Sequence, residues 1–114
     1  AQVQAVAAAC AAFRNGVQPA IRTAGNTHDP TPIQRVQQGQ PAEGGPVEAN
    51  APYITMVSNI ARARFNPDYV TLYADIANLT TAITHIDRNK LDASLSTIRQ
   101  DGDQIATECK NLGH

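Results

Sequence analysis

At 114 residues the chain is one domain by size and can bury only a modest core. Apolar residues make up 42% of it and aromatic residues 4%, so the core must be built mainly from Ala, Val, Ile and Leu. A net charge of −1, with both signs spread along the chain, argues against nucleic acid as the main partner. Phosphate binding needs a concentrated basic face, and the nearest approach to one is Arg62 with Arg64.

The first segment places Val3, Val6, Cys10, Phe13, Val17 and Ile21 at spacings of 3, 4, 3, 4 and 4, which is one apolar stripe on a helix. Gln2 and Gln4 interrupt the Ala-rich start, so it does not read as a signal peptide. Val6-Ala7-Ala8-Ala9-Cys10 has the outline of a lipoprotein cleavage box, but a packed helix with Cys on its buried face accounts for it more simply. Asn15-Gly16 and Pro19 predict a break or kink, with a shorter helical continuation to about Ala24. Residues 25–51 lose periodicity: Gly25, Gly39, Gly44 and Gly45 alternate with Pro30, Pro32, Pro41 and Pro46. This stretch predicts a long loop, anchored in its middle by Ile33 and Val36 through a short helical turn.

A second helix is expected from Pro52, which suits a first helical position because it has no N–H to leave unpaired. Its predicted buried face is Tyr53, Val57, Ile60 and Ala61, flanked by Ile54 and Met56. Asn66-Pro67 reads as the cap and first turn of a third helix, with Asp68 favouring its positive end. The stripe of that helix is Tyr69, Leu72, Ile76, Leu79, Ile83 and Ile86. The pattern slips after Ile86, so residues 87–90 predict a turn with Asn89 as the next cap. The last helix carries Leu91, Leu95, Ile98, Gly102, Ile105, Cys109 and Leu112 on one stripe. Gly102, in a core position, is read either as a close approach of a neighbour or as a hinge or cavity floor. The chain is thus read as one all-α domain over residues 1–114, an up-and-down bundle of three to four helices with a long Pro/Gly-rich loop after the first.

Cys10 and Cys109 lie on the apolar stripes of the first and last helices. If those helices are antiparallel neighbours, both cysteines come to one level, and a disulfide is favoured over two reduced core thiols. It would place the protein outside the cytoplasm. Catalytic redox work is not expected, because there is no Cys-x-x-Cys pair. No phosphate loop, nucleophile elbow, calcium loop or metal-ligand spacing stands out, so neither a cofactor nor a metal is expected. His28, His85 and His114 are widely separated, and His85 has no second ligand at helical spacing. Tyr69, Tyr73 and His85, all from the third helix, form the candidate ligand set for a carrier, because Tyr and His can hold haem iron.

The Cys-bearing first helix, Val6-Ala7-Ala8-Ala9-Cys10-Ala11-Ala12-Phe13, and the closing Ile105-Ala106-Thr107-Glu108-Cys109 resemble small exported helical domains and lipoproteins of actinobacteria, the mycobacterial type especially. The resemblance implies an exported protein of a kind that binds haem or lipid, or attaches to envelope complexes. The expected function is that of a non-enzymatic exported module that binds a protein or assembly in the cell envelope. The rival is a carrier holding haem or lipid between its helices. Membrane association through a partner, or through an upstream anchor no longer on the chain, is compatible with either.

Overall fold

The computed structural model describes all residues, Ala1–His114. The chain is all-helical, with no strands. Its α-helices are α1 (Gln2–Ala12), α2 (Gln18–Thr27), α3 (Thr31–Gln37), α4 (Pro52–Ala61), α5 (Val70–Thr84) and α6 (Leu91–Asn111). A π turn, Phe13–Val17, joins α1 to α2 without a break, and a 3-10 turn, Arg88–Lys90, leads into α6.

The break or kink expected near Gly16–Pro19 takes the form of a π turn at Phe13–Val17, and the chain continues helical beyond it to Thr27. Residues 2–27 form one rod of 26 residues, about 39 Å at the helical rise, which accounts for the 40 Å long axis of the molecule. The reason is a matched defect. Pro19 has no N–H and would ordinarily leave a gap in the hydrogen-bond ladder. The π turn widens the helix by one residue at that place, the Gln18 N–H reaching back to Phe13 O, so the register already slips where Pro19 has nothing to donate. Val6, Cys10, Phe13, Val17 and Ile21 stay buried along this rod, whereas Val3, at its start, is exposed.

The rod is shared by two antiparallel neighbours. Against α4, Gln2 meets the far end, its Nε2 donating to Arg62 O at 3.4 Å, while Gly16 meets Pro52 at the near end. Against α6, Cys10 is bonded to Cys109 with a Cα–Cα distance of 5.8 Å, Ile21 lies over Gly102, and His28 Nδ1 pairs with Asp92 Oδ1 at 3.0 Å. Helix α5 packs along α6, and the Tyr53 hydroxyl of α4 donates to Thr80 Oγ1 of α5 at 3.0 Å. The core is a single cluster with Phe13, Met56, Leu72, Leu79, Ile98 and Ile105 at its centre, and no charged or polar side chain is buried in it.

Other boundaries moved for local reasons. The loop expected over 25–51 is shortened at its start, and its middle is helical. Helix α2 runs on to Thr27, and α3 places Ile33 and Val36 in the core as expected. Residues 38–51 are held by Glu48 N–H to Gly39 O at 2.9 Å and by Arg35 Nη1 to Ala42 O at 3.3 Å. Helix count therefore exceeds three to four: the rod, α3, α4, α5 and α6 make five helical segments. On α4 the buried face is Tyr53, Met56 and Ile60, with Val57 half-buried, because the two overlapping apolar stripes are resolved by contact with α1 and the π turn. Helix α5 starts at Val70 and not at Pro67. Asn66 Oδ1 accepts the Asp68 N–H at 2.9 Å and Asn66 O accepts the Tyr69 N–H at 3.0 Å, a closed turn that delays the helix. Before α6, Asp87 caps in place of Asn89, its Oδ1 accepting the Asn89 N–H at 2.9 Å.

Removing the disulfide with Cys10→Ser and Cys109→Ser is expected to cost about 4–5 kcal/mol, the chain-entropy value for a loop this long, read as the shift in urea midpoint. Gly16 and Gly102, two of the three helical glycines, should respond differently to alanine. A methyl on Gly16 would overlap the Pro52 ring, so Gly16→Ala should destabilise by about 1–3 kcal/mol despite its better helix propensity. On Gly102 the nearest atom is the mobile Ile21 Cδ1 at 3.3 Å, so Gly102→Ala should be within about 1 kcal/mol of neutral.

Candidate functional site

Two open grooves run along the rod. One, of about 570 Å³, lies beside the π turn and is edged by Pro19, Pro32, Pro41 and Pro52. Its one cation, Arg35, already donates to Ala42 O. The other, of about 440 Å³, lies between α2 and the first half of α6 and has more free chemistry.

This second groove is built by two polar stripes that flank the core contact. On α2, Gln18, Arg22 and Asn26 follow at spacings of four. On α6, Asp92, Ser96, Arg99 and Asp103 follow at 4, 3 and 4. Between them Ile21, Leu95 and Gly102 form an apolar floor. Gly102 lets the rod settle close to α6, with Ile21 Cδ1 and Phe13 Cζ 3.3 and 3.6 Å from where a methyl would stand. Gly25, by contrast, has nothing within 4 Å of that position, so its missing side chain leaves the α2 wall open. Both readings of Gly102, close approach and cavity floor, thus describe one place.

His28 closes the end of the groove. It caps α2 in the left-handed conformation at φ 51°, and its Nδ1 meets Asp92 Oδ1. It is the only contact within 4.0 Å between a basic side chain and a carboxylate in the chain, so neither Arg22 nor Arg99 has a carboxylate partner. Two free guanidinium groups therefore stand on opposite walls of a strip with an apolar floor. Because Asp92 and the unpaired Asp103 share these walls, such a strip suits an elongated ligand that carries charges of both signs beside apolar groups.

Tyr69 and Tyr73 are one turn apart and half-buried, packed against the core. His85 stands at the other end of α5, exposed, with Nδ1 on Thr81 O at 2.8 Å. Twelve residues of helix separate it from Tyr73, about 18 Å, so the structure brings the tyrosines together and leaves His85 apart. None of the three lines either groove. Cys10 and Cys109 form the disulfide, which points to an oxidising, extracytoplasmic setting. No helix is long and apolar enough to cross a membrane.

A second charged feature lies on the flank of α6 that faces α5. Burial raises the Asp75 carboxyl above its ordinary range, and Glu108 and Asp101 add repulsion. Asp101 is raised by burial as well. No three His, Cys, Asp or Glu side chains converge there or elsewhere as a metal site. On the surface, Asp29 is held below its ordinary range by the Thr31 hydroxyl at 2.7 Å and the Thr31 N–H at 3.0 Å.

The groove residues were missed by reading single stripes. Their signal was there, as two polar stripes each next to a glycine, but nothing in the sequence said that those stripes face each other. No family model, curated protein or solved structure matches this chain.

A carboxyl raised in the folded state binds its proton more tightly there than in the unfolded chain. Its ionisation therefore removes stability as pH rises from the ordinary value, 3.8, through the raised one. Asp75→Asn should accordingly stabilise the protein more at pH 7 than at pH 4. Thermal unfolding of both forms at the two pH values checks the difference.

Proposed function

We propose that the chain is a non-enzymatic, secreted helical module of the cell envelope that binds a segment of a partner protein in the α2–α6 groove. The observation that carries the reading is the pair of unpaired guanidinium groups, Arg22 and Arg99, facing each other across an apolar floor. A groove open along one side accepts a length of chain, and its two arginines, with Asp92 and Asp103 on the same walls, favour a segment whose acidic residues meet the arginines and whose basic residues meet the aspartates. The extracytoplasmic setting is supported by the disulfide, and the envelope by the resemblance to exported actinobacterial two-cysteine domains. The rigid rod and α6 present the groove with little to reorganise on binding.

A carrier role is the second reading. The groove volume of about 440 Å³ falls in the range of small-ligand sites, and an amphipathic ligand with charges of both signs matches its chemistry. Haem held by Tyr69, Tyr73 and His85 together is less well supported, given the length of helix between Tyr73 and His85.

A photoreactive residue at position 18, in the groove wall, should crosslink one specific envelope protein in native membranes. Charge reversal of both arginines, Arg22→Glu with Arg99→Glu, should weaken that capture by more than about tenfold. Native mass spectrometry that instead finds a bound small molecule, lost in the same double variant, would move the carrier reading to first place. Crosslinking that is nonspecific, with no bound adduct, would overturn both.

A further inference from the structure

The end of the molecule remote from the groove carries exposed apolar side chains that the bundle does not use. Phe65 is 85% exposed, in a chain with only two phenylalanines, the other being the buried Phe13. Val3 and Val70 are 57% and 51% exposed. Gln2 ties the start of α1 to the α4–α5 turn: its Oε1 accepts from Asn66 Nδ2 at 2.6 Å and its Nε2 donates to Arg62 O. Val3 follows Gln2 on α1 and Val70 opens α5 from the same turn, so both lie toward this end of the molecule.

Two arginines accompany these side chains. Arg64 lies over the Phe65 ring with its guanidinium carbon 4.5 Å from the centroid, and Arg62 is exposed one residue before Ala63. Neither has a carboxylate partner, and residues 62–70 contain one acid, Asp68. The Phe65 side chain is thus presented on a turn with Arg64 over its ring, that guanidinium donating from Nη1 to Ala61 O at 2.7 Å, and with Arg62 exposed nearby and without a carboxylate.

We propose that this end is a shallow membrane-docking surface for an anionic lipid bilayer, with Phe65, Val3 and Val70 entering the interface and Arg62 and Arg64 meeting lipid phosphates. The charge match selects the occupant. Exposed apolar side chains beside two guanidinium groups that lack carboxylate partners suit the headgroup boundary, where a ring can bury while its cations stay at phosphate level. A protein cleft built for Phe65 alone would leave both arginines without partners. About 30 Å of rod separates Gln2 from Arg22, so the groove would face away from a membrane bound at this end, and both surfaces can be engaged at once. The inference does not depend on the groove having a ligand.

Flotation of the purified chain with vesicles tests it, using phosphatidylcholine alone and phosphatidylcholine with phosphatidylglycerol in equal parts. The chain should float with the anionic vesicles and not with the neutral ones, and high salt should release it. Phe65→Ser should lower the partition by about tenfold or more. Arg62→Ser with Arg64→Ser should lower it by about 30-fold, from roughly 1 kcal/mol for each basic residue near an anionic surface. Val47→Ser, which removes another exposed apolar side chain, from the 38–51 loop, should change nothing. Because Phe65 and both arginines are exposed, helical circular dichroism should be unchanged in every variant. A wild-type chain that stays in solution with anionic vesicles, or Phe65 and arginine variants that float like wild type, would overturn the proposal.

Discussion

The close seating of the N-terminal rod on its two neighbours is the contact on which the remaining structure depends. One 26-residue helix supplies a face to α4 and another to α6, and both contacts require its backbone or theirs to come near. Glycine makes each approach possible. Gly16 lets the Pro52 ring lie on the rod, and Gly102 lets Ile21 and Phe13 lie on α6. Phe13, the only fully buried aromatic ring, sits where these contacts meet, at the first residue of the π turn. An aromatic-poor chain has few large side chains with which to fill space, and it compensates by bringing backbones close.

The π turn and Pro19 illustrate how two unfavourable features become compatible. A proline in a helix interior is costly mainly because a carbonyl loses its donor and the ring crowds the preceding turn. A widened turn relaxes both problems at once. The result is a continuous rod with its apolar stripe intact on either side of the defect, and a rod long enough to carry a groove at one end and an exposed turn at the other. The disulfide then ties the middle of that rod to the C-terminal end of α6 across 99 residues of chain. Most of its effect falls on the unfolded state, which loses freedom when so large a loop is closed.

Function, on this reading, is assigned to surfaces and not to a buried centre. The core contains no charged or polar side chain, and every buried side-chain polar atom has a partner. What is left open lies outside: Arg22, Arg99 and Asp103 in the groove without ion-pair partners, Arg62 near the Phe65 turn, and an exposed ring with Arg64 over it. Free charges next to exposed apolar surface are what a binding protein offers to a charged, partly apolar partner.

The sequence by itself determined the all-helical class, the stripes of α5 and α6, the start of α4 at Pro52, the anchoring of Ile33 and Val36, and the Cys10–Cys109 pairing. These rest on local spacing, or on two stripes that must meet if the ends are antiparallel. It misplaced features where two local rules compete. Pro19 read as a break or kink, and not as part of a continuous rod, because a π turn leaves no mark in composition. Asn66 and Asn89 read as helix caps, although Asn66 closes a turn of its own and Asp87 caps before Asn89. On α4, Met56 and not Val57 went inside because two apolar stripes overlap and only the neighbours choose between them. The candidate site belongs wholly to tertiary structure. Arg22 and Arg99 stand 77 positions apart on ordinary polar stripes, and Phe65 reads as one more apolar residue near a helix end. Which side chains face each other, and which are left uncovered, is decided by how helices pack. That depends on contacts between residues far apart in sequence, which no periodicity within a single helix encodes.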